Sequence, residues 1–157
     1  MNNLELEILE LIESETEGDY WDFKECHHDN KANLLHDIIC MANNRADRDA
    51  YIIFGVRDSD YNIVGVENDP GRRNQLQMID QLKDKKFAGG IRPTIYLKTL
   101  KIQGHEIDVL IIKNSTDTPF YVEEKIQDRG RIVNPYHIYT RVGDTNTDIT
   151  KNADIDK

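Results

Sequence analysis

The chain has 157 residues, with 20 Lys and Arg against 29 Asp and Glu, a formal net charge of −9 and 38% apolar content. That balance excludes a uniformly basic nucleic-acid-binding protein, because affinity for phosphates comes mostly from Lys and Arg displacing counterions. It equally excludes a fibrous or disordered chain, and roughly 150 residues are enough to bury about 70% of the unfolded surface in one core.

Residues 3–13 set Leu4, Ile8, Leu11 and Ile12 at helical spacing, with Glu5, Glu7, Glu10 and Glu13 largely outside the stripe, which predicts an amphipathic helix. The polar stretch 14–19 breaks it and leads into Tyr20-Trp21-Asp22-Phe23-Lys24, where aromatic and polar residues alternate as in a strand. Between about 30 and 45, Leu34, Leu35, Ile38, Ile39, Met41 and Ala42 form a second helical stripe, with Asp29 as its expected N-cap. The apolar run 51–56 suits a strand covered on both faces. After the turn at 58–62, Ile63-Val64-Gly65-Val66 is expected to pair back as a hairpin. A third helix over 74–87 carries Leu76, Ile79, Leu82 and Phe87 and ends at Gly89-Gly90. Strands at 94–101 and 106–113 flank Gly104 as a second hairpin, and short strands are expected at 119–121 and 137–142. The pattern is α+β: a mixed, largely antiparallel sheet with about three helices packed on it.

Residues 1–146 read as one domain, and 147–157 as a polar tail or the start of a linker to a C-terminal module outside this chain. No run approaches the roughly 20 apolar residues of a membrane span, so no membrane partner is expected. The first residues lack the basic and apolar segments of a secretory leader. Cys26 and Cys40, without a Cys-x-x-Cys partner, read as buried or free thiols in a reducing cytoplasm rather than as a zinc site.

Charge is unevenly distributed. Residues 1–69 carry 5 basic and 17 acidic side chains, residues 70–103 carry 8 and 2, and residues 104–157 carry 7 and 10. The middle segment, with Arg72, Arg73, Lys83, Lys85, Lys86, Arg92, Lys98 and Lys101, is therefore a candidate phosphate-binding stripe, to which Arg129 and Arg131 would add a second contact. The alternative is that Lys83, Lys85 and Lys86 offset a helix dipole and the strand lysines keep an edge soluble.

In the 20–24 strand, Asp22 and Lys24 share one face and Trp21 and Phe23 the other. A carboxylate two residues from a lysine suits metal-dependent phosphodiester cleavage, the acid holding Mg²⁺ or Mn²⁺ and the lysine meeting the phosphate. Glu17, five residues earlier, and Asp58, leaving the buried strand, would complete three oxygen ligands on separate elements. The competing reading makes Asp22 and Lys24 a solvated face and Asp58 a turn former. His27-His28 alternate on an extended chain, so joint chelation is not expected there. His137 and Tyr139 share a strand face and would either stack on a base or pack into the core.

The order Glu17, Asp22-Phe23-Lys24, Met41-Ala42-Asn43-Asn44, Gly55-Val56-Arg57-Asp58, Val64-Gly65-Val66 and Tyr139-Thr140-Arg141-Val142-Gly143 resembles the AlbA-type domain of the Schlafen family over roughly residues 13–146. The resemblance implies nucleic-acid handling, RNA or DNA. Members related to animal Schlafens cleave tRNA and rRNA through a carboxylate triad, whose positions fall on Glu17, Asp22 and Asp58 here, with Lys24 assisting and Mg or Mn as cofactor. Many bacterial members are labelled only DNA-binding or ATP-binding domains of larger proteins, which leaves a non-catalytic regulatory module, or a homo-oligomerising one, as the alternative. Two departures stand out. The family glutamate before Phe-Lys is Asp22, shorter by a methylene and hence displaced by about 1.5 Å; the Gly-Gly before the buried strand is Asp49-Ala50. A Gly-x-x-x-x-Gly-Lys-[Ser/Thr] loop does not occur, so ATP binding by this segment is not expected.

Overall fold

A computed structural model of the chain describes residues 2–153. The N-terminal helix α1 (Asn3–Glu13) starts where the Asn2 side chain accepts the Glu5 N–H, and it buries Ile8, Leu11 and Ile12. Strand β1 (Trp21–Lys24) follows, then α2 (Lys31–Ala42), β2 (Ala50–Phe54) and α3 (Gln75–Lys83), and next the hairpin β3 (Ile95–Ile102) and β4 (His105–Ile112). These four strands form one sheet in the order β1-β2-β4-β3. The β1/β2 pair is parallel, with Asp22 opposite Ile52 and Lys24 opposite Phe54, and the other two pairs are antiparallel. A parallel pair needs a crossover, and α2 supplies it.

Alternation along β2 divides the interior in two. Ile52 and Phe54 face α2 and α3, whereas Tyr51 and Ile53 face α1. Being interior, α2 buries ten of its twelve residues, His36 and Asp37 among them. Its cap is Asn30, which accepts the Asn33 N–H, rather than the expected Asp29.

The second half of the chain wraps α2 with little regular structure. A hairpin of β5 (Ile126–Asp128) and β6 (Arg131–Val133) turns at Arg129-Gly130, both at positive φ, and places Val133 in the core. Asn43 holds the segment beyond β4 in place: its Nδ2 donates to Phe120 O and Tyr139 O, and its Oδ1 accepts the Phe120 N–H. Of the strand expected at 137–142, β7 (Arg141–Val142) is what forms, paired with β8 (Thr145–Asn146). Residues 119–121 form no strand; Val122 makes one bridge to Phe87.

Two further expectations change. The 63–66 segment makes a single bridge, Ile63 to Val56, because Gly55 and Gly65 both sit at positive φ and the Gly55 carbonyl takes the Val64 and Gly65 N–H groups together. The third helix stops at Lys83, short of 87, and the glycines fall in a separate turn at Ala88–Gly90. The stretch from 147 packs back on the domain: Ile149 is buried and its carbonyl accepts the Tyr139 hydroxyl. Residues 154–157 lie outside the described residues.

Candidate functional site

Asp22 and Lys24 share the α2-facing side of β1, as alternation requires, and their charged atoms lie 3.4 Å apart. Because β1 is an edge strand beneath α2, both meet groups from elsewhere. Lys24 Nζ lies 3.5 Å from Asp37 of α2. Asp37 also accepts from His28 Nε2 at 2.6 Å and from Asn146 Nδ2 at 3.1 Å, with His36 Nδ1 at 3.7 Å. Arg141, 2% exposed, closes the sheet edge: its guanidinium donates to Gly18 O, Trp21 O and Asn146 Oδ1 and lies 3.6 Å from Asp22. Glu17 comes in from the turn before β1, where its carboxylate accepts the Phe23 N–H at 2.9 Å.

The charges in this cluster decide its state. Burial would lift the Asp37 carboxyl, yet the hydrogen bonds from His28 and His36 and the charge of Lys24 hold it well below the usual carboxylate range. Burial would likewise weaken the Lys24 ammonium, but Asp37 and Asp22 keep its pKa raised. Asp22 and Asp37 thus balance Lys24 and Arg141, and a third carboxylate finds no spare cation. Glu17 accordingly keeps its proton: burial, then the hydrogen bond and charge of Asp22, push its pKa up to about 8.

Asp58, the remaining member of the expected triad, lies on the exposed turn after β2, while its neighbour Arg57 pairs with Glu25 and Asp60. Among the described residues no three His, Cys, Asp or Glu side chains group as a metal ion would require. The Asp22 oxygens face Lys24 and Arg141 and Asp58 lies on a separate turn, so the three expected ligands do not group together among the described residues.

Next to this cluster a cleft of about 790 Å³ opens beyond the carboxyl ends of β1 and β2, between residues 24–29 and 64–71. Its acids are mostly engaged: Glu25 by Arg57, Glu67 by His105 and the Glu106 N–H, Asp69 by the His27 and Gly71 N–H groups. His27 and His28 diverge, as expected, but both are structural rather than loose loop residues. His27 stacks on Phe54 and reaches Asp108, and His28 reaches Asp37. Cys26 is exposed, Cys40 is buried, and both are free.

The basic segment separates into engaged and open cations. Arg72 is held by Glu106 at 2.7 Å and Asp108 at 2.9 Å, and Arg73 donates to His28 O. Lys83, Lys86, Arg92, Lys98 and Lys101 are exposed and Lys85 is half-buried; none of the six enters an ion pair among the described residues. They run from the end of α3 along β3, the other edge of the sheet. Of the expected loop arginines, Arg131 bonds Asn33 Oδ1 and Arg129 bonds Asp29 O, so both brace the β5–β6 hairpin against α2. Tyr139 is core, 1% exposed, and His137 lies beside it outside any strand.

Asp37 is the site residue that strand and spacing patterns did not single out, while His28 and Arg141 figured in those patterns without this role. The signal for Asp37 was present: a His36-Asp37 pair between Leu34-Leu35 and Ile38-Ile39 sets an acid inside an otherwise apolar helix, where it needs a partner.

An α+β sheet carrying an acidic cluster at one edge and open cations at the other defines a candidate nucleic-acid-handling domain. The model of the family described as Schlafen, AlbA_2 matches residues 17–150, and the chain belongs to that family of nucleic-acid-related domains. No curated protein matches the chain.

Proposed function

We propose that this domain binds nucleic acid through phosphate contacts from the open cations of α3 and β3, and that the carboxylate cluster serves to close the sheet edge rather than to cut the chain. The observation that carries this reading is the contrast within the basic segment, where Arg72 is tied to two acids while Lys83, Lys85, Lys86, Arg92, Lys98 and Lys101 are tied to none among the described residues. A cation already held by two acids has little left for a phosphate, whereas an unpaired one can meet it directly. The net charge of −9 supports the same reading, since the acidic N-terminal segment would repel a polyanion that these open cations attract.

The alternative, a nuclease using Glu17, Asp22 and Lys24 with Mg²⁺ or Mn²⁺, draws on the closeness of those three side chains. One experiment separates the two. Labelled tRNA and single-stranded DNA are incubated with wild type and with Asp22→Ala, with and without each metal, and bound and cleaved products are resolved on gels. Binding without cleavage is the expected result. Metal-dependent cleavage that Asp22→Ala abolishes would overturn the non-catalytic reading, and absence of binding would overturn both.

A further inference from the structure

The segment after α3 runs alongside residues 121–123: Glu123 N–H donates to Lys86 O at 2.8 Å, Ala88 N–H to Tyr121 O at 3.0 Å, and Phe87 bridges Val122 in antiparallel fashion. Phe87 and Val122 are both buried. Side chains alternate in extended pairs, so Lys86, Tyr121 and Glu123 project together on the outer side. The same patch receives Tyr136, whose N–H donates to Val122 O at 2.8 Å. The Tyr136 ring is 61% exposed and its centroid lies 6.1 Å from that of Tyr121, with the planes at 49°.

Tyr136 does not earn this position through packing. Its φ is +60°, a left-handed conformation that costs a residue with a Cβ about 1 to 2 kcal/mol and suits glycine or asparagine. A large aromatic ring is thus held out in water on a strained backbone, next to a second tyrosine. Lys86 projects beside Tyr121 and Lys125 is exposed on the same loop, with no ion pair among the described residues; Glu123 and Glu124 are the neighbouring acids.

We propose that Tyr121 and Tyr136 form a stacking platform for unpaired bases, with Lys86 and Lys125 holding the adjoining phosphates, so that the ligand is single-stranded nucleic acid. The proposal rests on the nucleic-acid reading above and deepens it. Every base offers a π-face, but a duplex conceals those faces between neighbours; the exposed Tyr136 ring, backed by the half-buried Tyr121 and beside open lysines, therefore distinguishes single strands from duplex without reading sequence.

The test uses fluorescence anisotropy on the whole chain with a labelled oligothymidylate of about 15 nucleotides and a duplex of equal length, both at low salt. Tyr136→Gly removes the ring at a position whose φ favours glycine, so the fold is retained, as circular dichroism would verify. The expected result is a loss of about tenfold in single-strand affinity with duplex affinity unchanged, and wild-type behaviour for Tyr136→Trp. Equal single-strand affinity in Tyr136→Gly, or an equal loss on duplex, would overturn the platform while leaving phosphate binding intact. If wild type binds neither probe, the proposed function fails as well, so the two failures are distinct.

Discussion

Glu17→Gln is the substitution that the charge balance of the sheet-edge cluster predicts most sharply. Glu17 titrates at about 8 in the folded chain against an ordinary 4.5. Between those values the folded state holds a proton that the unfolded state has released, so stability falls as pH rises through the window and levels off above it. The full separation would be worth about 5 kcal/mol. Because the side chain is only half-buried, solvent screening reduces that to roughly 1 to 2 kcal/mol. Glutamine reproduces the protonated form: its amide can donate to Asp22, and its carbonyl can accept the Phe23 N–H that Glu17 now takes. Urea unfolding of wild type and variant, followed from about pH 5 to pH 9, should give curves that coincide at the acid end and separate toward alkaline pH, with Glu17→Gln the more stable by that amount. Parallel curves across the window would refute the balance of two acids against two cations. Greater stability of wild type at alkaline pH would refute it more strongly, since the sign would be reversed.

The remaining predictions concern the joints of the fold. Arg141→Ala leaves Asp22 facing one fewer cation and removes a donor from Gly18 O, Trp21 O and Asn146 Oδ1, so a loss of about 3 to 5 kcal/mol is expected from urea unfolding. Asp108→Asn weakens the buried junction at which His27, Arg72 and Thr99 all donate to one carboxylate. The cost should be about 2 to 4 kcal/mol at neutral pH and should shrink in acid, because burial opposes but His27, Arg72 and Thr99 hold the Asp108 carboxyl below its ordinary value, and the stability it confers disappears as it protonates. Thermal melts of wild type and variant at neutral and low pH check both the size and the convergence.

Local periodicity made the sheet legible. The 20–24 alternation put Asp22 and Lys24 on one face, Gly104 marked the β3–β4 turn, and apolar spacing located α1. Positions decided by long-range packing were less accessible. Arg141 bonds Trp21 across 120 positions, and no pattern local to either residue announces the contact. Asp37 belongs to the cluster only because α2 crosses over β1. The β5–β6 hairpin could have been recognised, since Asp128-Arg129-Gly130 has the turn residues of a two-residue hairpin, and both Arg129 and Gly130 adopt positive φ. The 63–66 segment failed to form a strand because two glycines at positive φ bring both chains to one carbonyl, a backbone detail that composition does not encode. As to the acidic total, it concealed a division of labour: the carboxylates of the first segment largely meet cations or N–H groups within the fold, while the cations of the middle segment mostly do not.

The salt dependence of nucleic-acid binding reads directly whether these cations meet phosphates. Affinity of wild type for a labelled RNA or DNA, measured from about 50 to 200 mM salt, should fall steeply, with each phosphate contact adding about 0.7 to 0.9 to the slope of log K against log salt. Reversing Lys83, Lys85 and Lys86 to glutamate should flatten that slope by roughly 2 to 3 and weaken binding at every salt concentration. An unchanged slope in the triple variant, or binding indifferent to salt in wild type, would contradict the assignment of these cations to phosphates.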